Sequence, residues 1–182
     1  GTRRQECYQF GDPEDFRHVL GVRYRLLPYI YSEFMKAALT DDLYFKPLSF
    51  VYEKDAFASQ VEDQLMIGNE IMIAPVYTQN AAGRYVYLPE EMKFVKFLPD
   101  GSISEEILSA GHHYVEIALN EVPLFIRKGC CIPVADAAEY VEAVDSDTIQ
   151  CIGYPGCTYE LYDDDGVSRE YDLEKNVRVI RM

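Results

Sequence analysis

The densest run of potential ligands in the sequence is Asp163, Asp164, Asp165 and Gly166. A calcium loop of EF-hand type needs oxygen donors at its first, third and fifth positions and glycine at its sixth. Counting from Asp163 puts Val167 and Ser168 at the last two of these, so the run reads as a solvated hairpin tip. His112 and His113 are adjacent at the start of a presumed strand, which aims them at opposite faces and keeps them from sharing a metal ion. His18 follows Arg17, and none of the three histidines stands in a metalloprotease-type arrangement. Cys7, Cys130, Cys131, Cys151 and Cys157 form no CxxC pair. They read as free thiols, with a Cys151 to Cys157 bridge or a reactive Cys130 and Cys131 pair as alternatives. No metal, cofactor, phosphate loop or nucleophile elbow is implied. Arg4, Gln5 and Glu6, preceded by Arg3 and followed by Tyr8 and Phe10, set guanidinium, amide and carboxylate groups beside aromatic rings. That set can hold sugar hydroxyls, and it can equally make ordinary loop ion pairs. Arg23 and Arg25 flank Tyr24 in an apolar stretch, where a buried guanidinium normally needs a carboxylate partner.

The elements that must position these groups change character near residue 67. Asp12, Pro13, Glu14 and Asp15 form a helix start: a capping carboxylate, proline at the first helical position, and acids beside the positive end of the dipole. Apolar residues from Phe16 to Leu39 recur at three and four and predict a long helix covered on more than one side. Pro28 predicts a kink or a break into two helices. A buried strand from Leu43 to Tyr52 and a helix from Ala56 to Met66, stopped by Gly68, complete about one and a half parallel α/β units. From Glu70 the rhythm is β. Candidate strands are Glu70 to Tyr77, Arg84 to Leu88, Met92 to Leu98, Ile103 to Leu108, Tyr114 to Leu119, Leu124 to Arg127, Cys130 to Val134, Thr148 to Ile152, Thr158 to Tyr162, Val167 to Leu173 and Val177 to Arg181. Pro99-Asp100-Gly101 and Asp164-Asp165-Gly166 are hairpin chemistry. Many short strands at this spacing suggest an antiparallel sandwich.

Composition narrows the function. The 182 residues exceed one small domain, and 48% hydrophobic residues, with 15 Tyr and 9 Phe but no Trp, supply a core and exclude general disorder. Lys plus Arg number 17 against 31 Asp plus Glu, a net −14 that repels nucleic acid and anionic membrane surfaces. Residues 67–182 carry 20 acids and 9 bases, hence −11 of that charge. No apolar run reaches the roughly 20 residues of a membrane span and no leader-like segment is visible, so the expected location is cytoplasmic.

Read in order, Arg23-Tyr24-Arg25-Leu26-Leu27-Pro28-Tyr29, Lys46-Pro47-Leu48, Asp63-Gln64-Leu65-Met66-Ile67-Gly68 running into Ile73-Ala74-Pro75-Val76, Tyr87-Leu88-Pro89, Val122 to Gly129 with Ile132-Pro133, and Tyr162 to Gly166 form a set. This set resembles the C-terminal third of glycoside hydrolase family 31, the α-glucosidase and α-xylosidase family. The resemblance implies an α+β chain: residues 1–66 as the helical remnant of a (β/α)8 barrel, and residues 67–182 as an antiparallel β-sandwich. Barrel active sites lie at the C-terminal ends of the strands, so it makes Arg4, Gln5 and Glu6 the residues nearest the sugar. It also implies that the two catalytic Asp of a retaining mechanism lie outside this chain, leaving it silent alone. The implied partners are an oligosaccharide or α-glucoside bound by the complete enzyme, and the missing catalytic segment or a second copy. A stand-alone carbohydrate-binding or protein-interaction module is the competing reading.

Overall fold

The computed structural model describes residues 9, 11–138, 140, 141, 144, 146–169 and 171–182. Its first element is the helix α1 (Pro13–Thr40). The Asp12 carboxylate accepts the Glu14 N–H at 2.9 Å, Pro13 opens the first turn, and Asp41 closes the helix in the left-handed region at φ 56°. The expected break does not occur, because α1 runs unbroken through Pro28. Burial, a bond within the helix and a bond from the Ala135 backbone hold the turns around the proline. Tyr29 is fully buried, Ser32 Oγ donates to the Pro28 carbonyl at 2.7 Å, and the Arg25 carbonyl accepts the Ala135 N–H at 2.9 Å.

Among the described residues twelve short strands follow, interrupted by the single-turn helices α2 (Leu48–Val51) and α3 (Leu173–Asn176). They are β1 (Phe45–Pro47), β2 (Leu65–Ile67), β3 (Ile71–Ile73), β4 (Gly83–Leu88), β5 (Met92–Phe97), β6 (Ile103–Leu108), β7 (Gly111–Glu116), β8 (Val122–Arg127), β9 (Cys131–Val134), β10 (Gln150–Gly153), β11 (Thr158–Tyr162) and β12 (Val177–Arg181). Six of them make a central sheet in the order β1-β2-β3-β8-β5-β6, and β4-β7, β10-β9 and β11-β12 are separate ribbons. Every one of these pairings is antiparallel.

The central sheet is covered on both faces. Ile67, Ile71, Val95, Phe97, Leu124 and Ile126 share one core cluster with Val22, Leu26 and Tyr29 of α1, Ile132 of β9 and Tyr159 and Leu161 of β11. Met66, Met72, Met92, Phe94 and Phe125 share the other with Leu48 of α2 and with Val86, Leu88 and Val115 of the β4-β7 ribbon. Burial on both faces explains why these strands read as apolar runs more than as clean alternation. Each such side chain contributes roughly 1.5–3 kcal/mol relative to an exposed one.

The sequence misplaces three elements. Leu43 to Tyr52 is strand only over Phe45–Pro47 and then makes one helical turn. Ala56 to Met66 is not a helix: Ala58–Gln60 is a 3-10 turn, and Leu65–Ile67 is the strand β2. There the Asp55 carboxylate takes the Phe57 and Ala58 N–H groups at 2.9 and 3.2 Å, local bonds that compete with an α-helical ladder. Tertiary pairing then claims β2, and Phe45↔Ile67 sets it antiparallel to β1, in place of the expected parallel unit. Residues 45–67 thus share a sheet with the strands beyond residue 67. The strand expected from Val167 to Leu173 is likewise absent among the described residues. Asp165 captures the Val167 and Ser168 N–H groups, and Asp172 caps α3 through Glu174.

Candidate functional site: the outer face of the long helix and the carboxylates behind it

Arg4, Gln5 and Glu6, the residues read as nearest the sugar, lie outside the described residues. Among the described residues a long, partly exposed apolar face lies on α1. At 100° per residue, Leu20, Leu27, Tyr31, Phe34 and Ala38 fall within about 60° of one another, opposite the buried Val22, Leu26, Tyr29 and Glu33. Leu20 is 49% exposed and Phe34 51%. The stripe continues into β1 through edge-on aromatic contacts, Phe34 to Tyr44 at 6.2 Å and Tyr44 to Phe45 at 4.5 Å between ring centroids. Leu43, Phe45 and Phe50 are exposed beside it. Tyr31 reaches Asp164 and Tyr162 from this side, but Leu20 and Phe34 stay about half exposed, an opening that an apolar helix face normally has covered.

Behind this face sits a polar cluster joining α1 to the β2-β3 turn and β11. The Tyr159 hydroxyl donates to Glu33 Oε1 at 2.6 Å, and Lys36 Nζ donates to the same oxygen at 2.8 Å while lying 4.1 Å from the Tyr159 ring centroid. The Tyr29 hydroxyl meets the Ile67 carbonyl at 2.5 Å and Glu70 Oε2 at 3.0 Å, and the Asn69 N–H adds 3.2 Å to Glu70. Burial raises the Glu70 pKa, the nearby Glu33 charge raises it further, and the Tyr29 hydroxyl opposes both. Burial likewise holds both tyrosine hydroxyls well above their usual range. Both carboxylates take protein donors, so the cluster fastens helix to sheet. Nothing in the sequence signals that Glu33 and Glu70 meet, since only folding of the β2-β3 turn under α1 brings them together.

The other charged groups are similarly engaged. Glu90 Oε1 accepts the Tyr52 hydroxyl and Arg127 Nε, each at 2.6 Å. Lys46 Nζ donates to Asp42 at 2.6 Å and Asn69 at 3.1 Å. Arg25 has a carbonyl and a ring as neighbours in place of a bonded carboxylate: Gly101 O at 3.1 Å and the Phe97 ring centroid at 5.0 Å. The aspartates of the run read as a hairpin tip are occupied, Asp163 by Arg178, Asp164 by Tyr31 and the Gly166 N–H, and Asp165 by two backbone N–H groups. His113 meets the Ser109 carbonyl, while His112 lies between Phe57 and Tyr87, so the two do face apart. Cys130, Cys131, Cys151 and Cys157 are free thiols, and burial pushes Cys131 up to about 12, which makes it a poor nucleophile. Among the described residues no group of three or more His, Cys, Asp or Glu could hold a metal ion.

A groove of about 910 Å³ runs between residues 73–82 and 117–123. Its one titratable acid, Glu121, is tied to Lys96 and the Ala118 N–H, so it offers no acid–base pair.

Comparison with known proteins names the fold. Residues 41–132 match the C-terminal domain of glycosyl hydrolase family 31. The chain is 30% identical over 185 residues to alpha-glucosidase 2 of Bacillus thermoamyloliquefaciens, taking in 98% of this chain and 23% of that protein. It is 31% identical over 175 residues to an alpha-xylosidase of Saccharolobus solfataricus, taking in 90% and 23%. A family 31 dextranase of Flavobacterium johnsoniae, solved with glucose, superposes with a TM-score of 0.76 at 26% identity, covering 94% of this chain and 21% of that one. The chain therefore spans less than a quarter of the length of each of these relatives. With half of its length matched by that domain and nearly all of it aligned to these enzymes, the chain belongs to glycosyl hydrolase family 31.

Proposed function

We propose that this chain is a C-terminal part of a retaining α-glucosidase-type hydrolase acting on terminal α-linked glucose, and that its own task is to brace the catalytic barrel. The observation that carries the reading is the outer face of α1, whose apolar stripe continues through Tyr44 and Phe45 and leaves Leu20, Phe34, Leu43 and Phe45 exposed in the described chain. In the proposal α1 closes the barrel, and the antiparallel sheets behind it form the sandwich that holds it in place. The Glu33, Tyr159, Tyr29 and Glu70 cluster supports this by fixing the helix to the sheet at the middle of its length. Retaining hydrolysis needs one carboxylate to attack the anomeric carbon and a second to protonate the leaving oxygen and then activate water. On this reading both belong to the barrel, with Arg4, Gln5 and Glu6 contributing to sugar binding. A reducing, cytoplasmic location is part of the proposal, supported by the four free thiols.

Residues 1–182 expressed alone should not hydrolyse p-nitrophenyl α-glucoside and should bind an apolar-surface dye. Turnover by the isolated chain would place the catalytic acids within it and end the proposal. The alternative, a self-sufficient β-sandwich module, draws on the central sheet being covered on both faces by the chain itself. It predicts a monomer in sedimentation velocity with no dye binding.

A further inference from the structure

The β4-β7 ribbon has two unlike faces. Val86, Leu88 and Val115 point into the core, whereas Tyr85 and Tyr87 of β4 lie directly across from Tyr114 and His112 of β7 on the outer face. On the ribbon itself that face carries no aliphatic side chain, and Val61 and Val76 line the clefts beside it. The Tyr85 and Tyr114 rings meet edge-on at 5.1 Å, Tyr87 and His112 lie 5.1 Å apart, and Phe57 stands 4.7 Å from Tyr87 and 4.6 Å from His112. Tyr77, 74% exposed, rises beside them, and Tyr85 is 76% exposed. These rings are propped from below. Tyr87 donates to Asp55 at 2.6 Å, Tyr77 donates to Asp63 at 3.2 Å, and Arg84 binds Asp63 at 2.6 Å with its guanidinium 5.7 Å from the Tyr77 ring centroid. Two adjoining clefts of 340 and 400 Å³ flank the rings and share Asp63, Tyr77 and Tyr85 as their common wall.

We propose that this outer face is a binding surface for a neutral gluco-oligosaccharide, with one pyranose ring in each cleft and Tyr77 and Tyr85 between them. The C–H face of a pyranose carries weak positive charge and stacks on the electron-rich face of an aromatic ring, while its hydroxyls need donors and acceptors at the ring edges. Both are present here: the exposed tyrosine faces, and Gln60, Glu62 and Asp63 along one cleft. Each cleft falls within the ~300 to 1,000 Å³ of small-ligand sites. The acidic rim and the chain's net −14 disfavour anionic glycans and nucleic acids. The choice of α-linked glucose as the unit rests on the proposed function; the stacking surface itself does not.

The test is titration of the 182-residue chain with maltotetraose and, separately, isomaltotetraose, followed by calorimetry. Saturable millimolar binding to at least one is expected. It should weaken at least about tenfold in a Tyr85→Ala, Tyr114→Ala double variant, since each stacked ring lost is worth of order one factor of ten. A Tyr85→Phe variant, which keeps the ring, should bind nearly as wild type, and circular dichroism should find all variants folded. Absence of saturation with both sugars, or binding unchanged in the double variant, overturns the proposal. So does a sugar-independent dimer abolished by the same two substitutions, which would make this face a protein interface. Because the readout is binding by the isolated chain, a negative result leaves the bracing role standing, and turnover by that chain leaves this surface standing.

Discussion

Glu70 shows how single residues here serve the junction between helix and sheet. Its carboxylate accepts the Tyr29 hydroxyl and the Asn69 N–H, yet burial and the Glu33 charge raise its pKa above the ordinary 4.5. The folded protein therefore holds this proton to higher pH than the unfolded chain does. The stability it contributes is complete below about 4.5 and is lost as pH rises through the raised folded value. Glu70→Gln keeps an acceptor for Tyr29 and removes the charge. Urea titrations across that window should find the variant gaining on wild type as pH rises through the raised value. A variant that falls behind wild type at neutral pH would mean the ionised carboxylate is needed. Residue chemistry was only partly legible in the sequence. The Asp12 cap and the opposed faces of His112 and His113 follow from local rules, whereas the meeting of Glu33 with Glu70 follows from a turn packed under a helix.

At the scale of elements, the β2-β3 turn is the tightest point of that junction. Gly68 has φ 62°, and a Cβ there would run into the Glu33 carboxylate. Gly101, in the β5-β6 hairpin, also has positive φ, at 85°, but open space around it. Alanine at Gly101 should cost only the backbone strain, about 1 kcal/mol, or ~2–4 °C in melting temperature for a chain of this size. Alanine at Gly68 should cost at least about twice that, because Glu33 must also leave its bonds to Tyr159 and Lys36. Thermal melts of the two variants provide the comparison, and equal losses would mean that Glu33 shifts freely. Long or strongly patterned elements such as α1, β5, β6 and β11 lie close to where periodicity puts them. The failures, over 56–66 and 167–173, are segments where Asp55, Asp165 and Asp172 bind nearby N–H groups and neighbouring strands take what is left.

For the whole molecule, periodicity reads α1 as a helix covered on more than one side, and in the described chain its outer face stays open. The structure sets its buried side against the sheet and leaves the other outward. Replacing Leu20 with Lys and Phe34 with Glu should suppress self-association and dye binding in the isolated chain while moving the melting temperature little, since both side chains are about half exposed. Sedimentation velocity and a thermal melt together give the answer. A large loss of stability would mean that these side chains support this chain's own fold.

Helix capping, the antiparallel strand rhythm after residue 70, the uneven charge and the family were determined by the sequence alone, because each depends on local backbone preference or on residue order. Tertiary structure decided the rest. It chose β2 as the partner of β1, left Arg25 with a carbonyl and an aromatic ring, brought Glu33 to Glu70, and turned four aromatic residues of the β4-β7 ribbon toward solvent. These outcomes depend on which distant segments bury one another, and the free energy of that burial is shared among residues that no local window contains.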